Sequence, residues 1–569
     1  MLQRKKRKIF VTSALPYANG PIHLGHLVEY VQTDIWVRFQ KLLSNFTVYI
    51  CADDAHGTPI MLRAQKEKIT PEELIDKVWK EHTRDFSSFF IAFDSYFTTH
   101  SEENRELSSK IYKNLADKGL VAVKKIKQMF DTEKQMFLPD RFIKGECPKC
   151  MAKDQFGDAC EVCGATYNPT ELVNPKSELS GKTPITKESD HHFFLLSNKK
   201  CVSFLKQWTT ESGRLQSEAL NKINEWLKSD STGKSMLTDW DISRDPPYFG
   251  FEIPDEPMKF FYVWLDAPIG YYASLKNWCK KNDKNFYDFV KPDSKYEQVH
   301  FIGKDILYFH SLFWPAILKF SGYRVPTAIY AHGFLTINGK KMSKSKGTYI
   351  TAEEYIKAGL NPEWLRYYIA AKLNGTMEDI DLNLEDFMNK INSDLVGKYI
   401  NILSRTSGFV TKFFEGKVID YTTINNININ ISDLEKKFSK HIIDIQNNYE
   451  QRNTSRVIRD LVSLMDSVNL FIDDNKPWIL AKKIAENPIE RESLEYVLAV
   501  SLNYFAKLTI LIKPILPAVA LRVENEVFNI QKPWLWEDIY NLEIKSINPV
   551  GHLISRVDQN DLQKINNEV

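Results

Sequence analysis

Lys8-Ile9-Phe10-Val11-Thr12-Ser13-Ala14, followed by Leu15-Pro16-Tyr17-Ala18-Asn19-Gly20-Pro21-Ile22 and then His23-Leu24-Gly25-His26, decides the fold class of this chain. The first seven residues form a short, largely apolar run. Pro16 and Asn19-Gly20-Pro21 end it, because proline lacks a ladder N–H and glycine opens turn geometries. From Leu24 to Leu43 the residues Leu27, Val28, Val31, Ile35, Phe39 and Leu42 recur at helical spacing, the mark of a helix with one face in a core. A second strand-like run spans Phe46 to Cys51. Thr70-Pro71-Glu72-Glu73 then starts another helix, with threonine as cap and proline in the first turn. Strand, helix, strand, helix predicts a parallel, doubly wound α/β sheet. Such sheets bind ligands at the carboxyl ends of their strands.

That places attention on the turn into the first helix. A helix N-terminus offers unpaired N–H groups and partial positive charge to a phosphate. His23 and His26 add imidazole donors on one face of the first turn, and Gly25 leaves room for a planar base against backbone. Histidines at a helix start also serve as caps or surface residues. Farther along, Gly339-Lys340-Lys341-Met342-Ser343-Lys344-Ser345-Lys346-Gly347 sets four lysines in a glycine-bounded loop. Such a loop can close on a polyphosphate and stabilise departing pyrophosphate, or serve as solvated surface.

Between about 116 and 240 the pattern turns irregular, and an insertion with few strands is expected there. It contains Cys147-Pro148-Lys149-Cys150 and Cys160-Glu161-Val162-Cys163, a C-x2-C-x9-C-x2-C spacing that suits one tetrahedral, structural Zn2+. Strand-like runs return at Gln298–Ile302 and Thr327–Tyr330. Beyond about 390 the segments 392–414, 432–450, 455–471 and 492–511 are helical by period, and 419–431 reads as a loop. The expected organisation is therefore a split α/β domain, 1–115 and 241–330, an insertion at 116–240, a linking segment at 331–390 and an all-α domain at 391–569.

Over 569 residues, 43% hydrophobic and 26% charged, the chain has the makings of ordinary packed cores. A net charge of +2 excludes bulk attraction to nucleic acid or anionic membrane, so such contacts must come from local patches. The stretch Leu508 to Val523 is interrupted by Lys513, Pro514, Pro517 and Arg522 and is too short to span a bilayer. The basic start Arg4-Lys5-Lys6-Arg7-Lys8 leads into a strand rather than an export signal. A cytoplasmic protein with reduced cysteines and no membrane partner is expected. No appended dimerisation domain is seen before Val569, which predicts a monomer.

His23-Leu24-Gly25-His26 resembles the HIGH signature of class I aminoacyl-tRNA synthetases, with leucine for the usual isoleucine, and Lys341-Met342-Ser343-Lys344-Ser345 matches their KMSKS signature. The resemblance implies a Rossmann-type catalytic domain that forms an aminoacyl-adenylate from ATP, with Mg2+, and esterifies tRNA. It implies catalytic roles for His23, His26, Arg244, Lys341 and Lys344. Nucleotide contacts would come from Gly25, Gly303, Asp305, the two histidines and Lys344.

Further stretches are similar to the methionyl-tRNA synthetases: Ala14 to Gly20, Cys51 to Pro59, Trp240 to Arg244, Phe261 to Tyr271 and Phe301 to Ile306. They imply a methionine pocket of Ala14, Leu15, Tyr17, Trp264, Ala267, Pro268, Tyr271, Ile306 and His310, with Asp54 taking the ammonium. A flexible thioether suits an aromatic and aliphatic wall. Tyr17 and His310 are expected to hydrogen-bond near the sulfur. The family also implies that Asn401, Arg405 and Trp478 read the CAU anticodon of tRNA(Met), and that the four cysteines hold zinc in the insertion. An editing domain, needed where one methylene must be told apart, would not fit in about 125 residues. Another class I synthetase, such as the cysteine enzyme, a nucleotidyltransferase and a non-catalytic zinc protein binding RNA are the competing readings. Pyrophosphate exchange into ATP that requires methionine discriminates among them.

Overall fold

The computed structural model describes residues 5–211, 213–228, 235–342, 349–424, 427–484, 488–549 and 551–567. Strands β1 (Lys8–Ser13), β2 (Phe46–Asp53) and β3 (Ser95–Thr98) open the chain. The insertion contributes β4 (Val121–Asp131) and β5 (Ile185–Phe194), and β6 (Glu297–Gly303) and β7 (Ala328–His332) follow it. Strands β1, β2, β3, β6 and β7 make one wholly parallel sheet in the order β7-β6-β1-β2-β3. Strand order reverses at β1, so its carboxyl end is the topological switch point where a crevice opens.

Helix α1 (Leu24–Leu42) leaves that switch point with the expected apolar stripe buried. The helix Pro71–Ser88 starts as expected, with a reciprocal capping box between Thr70 and Glu73. Almost every residue of β1, β2 and β6 is buried, because helices cover both faces of the sheet.

The insertion departs from expectation. It is not poor in strands: β4 and β5, 11 and 10 residues long, pair antiparallel along nearly their whole length. Both are largely solvent-facing, so Lys124, Lys125 and Lys127 interrupt any apolar alternation that could have announced them. The segment also supplies two helices, Lys199–Thr210 and Ser217–Trp226, to the catalytic core.

After β7 a small sheet of Leu335–Ile337, Lys340–Lys341 and Ile380–Leu382 precedes the helices. A continuous helical run from Leu384 to Phe414 passes through a π-wound stretch at Ile391–Ile400. Helices Ser432–Glu450, Thr454–Asn475 and Pro488–Ile512 complete the bundle, and the 419–431 segment contains only a short turn of helix among its described residues. Ile489–Ile512 is long and apolar enough to cross a membrane, yet 89% of its most apolar window is buried among neighbouring helices. It is the central helix of a core.

That core is continuous with the one on the α1 face of the sheet. Arg366 rivets the two parts together from a fully buried position. Its guanidinium pairs with Asp34 of α1 at 2.7 Å and donates to the carbonyls of Phe89, Pro514 and Ile515. All three guanidinium nitrogens donate, the kind of satisfaction that lets a charge be held in such a place.

Candidate active site

At the carboxyl end of β1 the backbone is held from two sides. Ala14 donates to Glu29 and accepts from the Tyr30 hydroxyl at 2.8 Å, both on α1. Tyr17 and Asp54 bridge the ends of β1 and β2. His23 caps α1: its Nδ1 accepts from His26 N at 3.2 Å, while His26 Nδ1 accepts from His23 N at 3.4 Å. With both Nδ1 atoms accepting, each neutral ring carries its proton on Nε2. The rings stack, centroids 3.5 Å apart. Burial, followed by the neighbouring His23 and His82, pushes the His26 pKa well below the usual histidine range, so His26 is neutral.

The two signature segments meet here. Leu24 N donates to Ile350 O, Ala352 N donates to Ile22 O, and Met342 lies beside the helix start. A Cβ on Gly25 would stand 3.0 Å from the His23 ring and 3.2 Å from Met342 Sδ, so only glycine leaves this gap. Lys340 and Lys341 form a short strand paired with Leu335–Ile337. Lys344 and the rest of residues 343–348 lie outside the described residues, as does the side chain of Lys341.

A cavity of about 550 Å³ opens at this point. His23, Gly25, His26, Gly303 and Asp305 line it as expected, and so do Glu29, Tyr30, His332 and Met342, which sequence reasoning missed. A Cβ on Gly303 would come within 2.5 Å of Asp305 Oδ1, so any side chain there would displace the Asp305 carboxylate. Glu29 is buried, with a pKa raised by burial and partly offset by His332 at 3.4 Å.

An apolar pocket of about 320 Å³ adjoins it, sharing Ala14, Leu15, Asp305 and Ile306. Asp54, Trp264, Ala267, Pro268, Tyr271 and His310 also line it, which brings together every residue of the expected set but Tyr17. Trp240, Tyr308 and Phe309 are additional walls. Trp240 sits at the centre of this aromatic box, 5.0 Å from Trp264 and 5.7 Å from Tyr308 between centroids. Asp54 is half-buried, and its Oδ1, which is buried, has no hydrogen-bond partner among the described residues. Burial first, then the charge of Asp266, raises its pKa well above the usual carboxylate range.

Two expected polar contacts to the sulfur region do not form as foreseen. His310 Nδ1 donates to Ile306 O at 3.2 Å, so Nε2 accepts from the Tyr271 hydroxyl at 2.9 Å and both nitrogens are spent. Burial lowers the His310 pKa to about 4, which keeps the ring neutral. Tyr17 lines the larger cavity and a neighbouring cleft, not the apolar pocket. Arg244 also faces that cleft, together with Tyr17, Asp54 and Trp264. Its guanidinium stacks 3.5 Å over Tyr262 and pairs with Asp241 at 2.8 Å.

The four insertion cysteines converge, all Sγ atoms within 4.8 Å of one another. Cys147 and Cys163 are 3.8 Å apart, and Cys150 and Cys160 3.6 Å. A tetrahedral metal with bonds of about 2.3 Å requires sulfurs about 3.8 Å apart, so the cluster fits one ion. The two turns are near copies. Cys147 and Cys160 each accept from the residue four positions on, Met151 and Gly164, both in the left-handed region. Beside them is a small apolar cluster of Met129, Leu138, Ile143 and Leu172, with Phe142, Tyr167 and Leu179 packed against it.

Asn401, Arg405 and Trp478 share one face of the bundle. Arg405 stacks 5.0 Å over Trp478 and pairs with Asp473, while Asn401 donates to Asn469 at 2.9 Å. Trp478 is 36% exposed, so the indole is only partly covered by the bundle.

Comparison with known proteins agrees with this architecture. Residues 9–407 match the family model described as tRNA synthetases class I (M). The chain is 58% identical over 558 residues to the methionine–tRNA ligase of Thiobacillus denitrificans, covering 98% of this chain and 78% of that protein. It is 54% identical over 562 residues to the enzyme of Ralstonia nicotianae, covering 98% and 79%. Among solved structures, Mycobacterium tuberculosis methionyl-tRNA synthetase in complex with methionyl-adenylate superposes with a TM-score of 0.77 at 20% identity, over 96% of this chain and 99% of that one. Its apo form gives 0.71 at 19% identity, over 98% and 100%. The solved structures speak to the fold, and the sequence relatives, matched along nearly the whole chain, to the lineage: this chain belongs to the methionyl-tRNA synthetase family of class I aminoacyl-tRNA synthetases.

Proposed function

We propose that this protein activates L-methionine with ATP to methionyl-adenylate, releasing pyrophosphate, and transfers the methionyl group to the 3′ end of tRNA(Met). The observation that carries this reading is the pair of joined cavities at the switch point. One has a helix N-terminus, two neutral imidazoles and Asp305; the other has an aromatic box and a carboxylate with one buried oxygen left without a partner.

In this reading the methionine side chain fills the box of Trp240, Trp264, Tyr308 and Phe309. Thioether–aromatic contact supplies its preference over a plain alkyl chain. The substrate ammonium pairs with Asp54, which regains its charge on doing so. ATP, brought with Mg2+, occupies the larger cavity, its base against Gly25 and its phosphates toward His23 and His26. His26 Nε2–H is a neutral donor for a phosphate oxygen. Asp305 and Gly303, on the shared wall, take the part of the nucleotide nearest the amino acid. Arg244 approaches from the side of Asp54 and stabilises negative charge as carboxylate and α-phosphate join. Lys341 and Lys344 are assigned the departing pyrophosphate by the family motif alone.

The exposed Trp478 supports anticodon stacking by the 391–569 region, with Arg405 and Asn401 beside it. Catalysis belongs to 1–115 and 241–330, with 331–390 carrying the lysine loop. Zn2+ is the ion we assign to Cys147, Cys150, Cys160 and Cys163, where it organises the insertion and takes no part in the reaction. We assign the protein to the cytoplasm. Isotope exchange of pyrophosphate into ATP tests the activity: it must require methionine and fail with cysteine or without any amino acid.

A further inference from the structure

Arg244 does not stand alone, and what holds it comes from the insertion. His191, on β5, is buried with only 1% of its surface exposed. Its Nδ1 lies 2.7 Å from Asp241 Oδ2 and its Nε2 lies 3.1 Å from Asp245 Oδ2. The same Asp241 oxygen accepts from Arg244 Nη1. Ser243, between them, donates to Asp241 through N at 3.1 Å, and its hydroxyl accepts from His192 N at 2.8 Å. One imidazole thus bridges the carboxylates on either side of the segment Asp241 to Asp245, and Trp240, next in chain, is the centre of the aromatic box.

We infer that His191 is a positioning residue for methionine activation: a doubly protonated imidazolium that clamps the 241–245 segment and so holds the Arg244 guanidinium toward the reacting groups. The inference rests on the role assigned above to Arg244. The chemistry follows from donors and acceptors. Carboxylates only accept, so hydrogen bonds from both ring nitrogens need a proton on each. Lys259 pairs with Asp245 and donates to Ser189 at 2.9 Å, which keeps that carboxyl ionised. The remaining neighbours leave this arrangement intact. Lys124, the register partner on β4, is tied to Asp239 at 2.6 Å, and His192 points to Tyr112 and Glu256. The His191 pKa is raised, burial opposing and the two aspartates prevailing. A neutral imidazole would lose one of the two bonds and leave Asp241 or Asp245 short of a partner.

Three measurements on the full-length protein test this. In ATP–pyrophosphate exchange, His191→Gln, which can serve only one carboxylate, should lower kcat about tenfold to a hundredfold, the usual effect of losing a partner that orients a functional group. KM for methionine and ATP should move by no more than about threefold, because substrate pockets stay formed. Arg244→Ala serves as control and should lower kcat at least as far. Nitrogen NMR of labelled imidazoles should find both His191 nitrogens protonated at pH 8. If Arg244→Ala is impaired and His191→Gln keeps a normal kcat, the inference falls alone. If Arg244→Ala itself is normal, the role of Arg244 falls and the inference with it. A single protonated His191 nitrogen at pH 8 overturns the clamp even where His191→Gln fails to fold.

Discussion

The amino-acid pocket and the Trp478 face of the bundle offer opposite answers to recognition. In the pocket the key group, Asp54, is half-buried with one unpartnered oxygen and a raised pKa, a state relieved by a proton in the empty pocket or by a paired cation. On the bundle Arg405 is already paired with Asp473, 56% exposed, and stacked on Trp478, 36% exposed. A site under stress gains much from one substrate group; a satisfied, solvated surface must exchange old contacts for new ones of similar worth. The difference teaches where single substitutions weigh most.

The largest effect is expected at Asp54. Asp54→Asn should lower kcat/KM for methionine activation about 10²–10³-fold, the scale for removing one partner of a buried charge-assisted pair. Its melting temperature should hold or rise, since a carboxyl repelled by Asp266 is removed. A lowered melting point with normal activation would reverse the comparison. Next comes pH. The raised pKa belongs to the empty pocket and the bound ammonium lowers it, so protonation favours the free enzyme. Methionine affinity should strengthen as pH rises through that raised value and weaken as it falls, by at most tenfold per pH unit. Calorimetric titration across pH checks the sign.

On the bundle side, Trp478→Ala should remove about 1–3 kcal/mol of tRNA binding, the worth of one base stack, while methionine activation stays normal. Equal loss in charging and activation with a lower melting point would make the indole a packing residue. The smallest effect belongs to Arg405→Ala. It should change stability by less than about 1 kcal/mol, as exposed pairs do, and reduce the salt dependence of tRNA binding by about one phosphate contact. Filter binding at several salt concentrations measures the slope.

What could be read in advance follows the same division between strong and weak constraint. Helix α1 was legible because burial on one face enforces a helical period, and the parallel strands because two-sided burial makes them apolar. The cysteine knuckle was legible from spacing alone, with no core to announce it. Strands β4 and β5 were not, since solvent on both faces removes the pattern. The pocket residues that carry motifs were named, but Tyr308 and Phe309 were not, and Trp240 was quoted only within its motif: their convergence depends on a π-wound turn at Phe309–Phe313. His191 lay hidden in the insertion, because a clamp between residues fifty positions apart leaves no local trace.

The membrane-length helix Ile489–Ile512 has a consequence for how the chain is made. An apolar helix of that length is a hazard on leaving the ribosome, where export machinery and other nascent chains compete for it. Its main cover, the helices Asn401–Phe414, Thr454–Asn475 and Pro477–Lys483, is all translated earlier. The binding surface is therefore already synthesised when the helix emerges, which shortens the time its apolar face spends without cover.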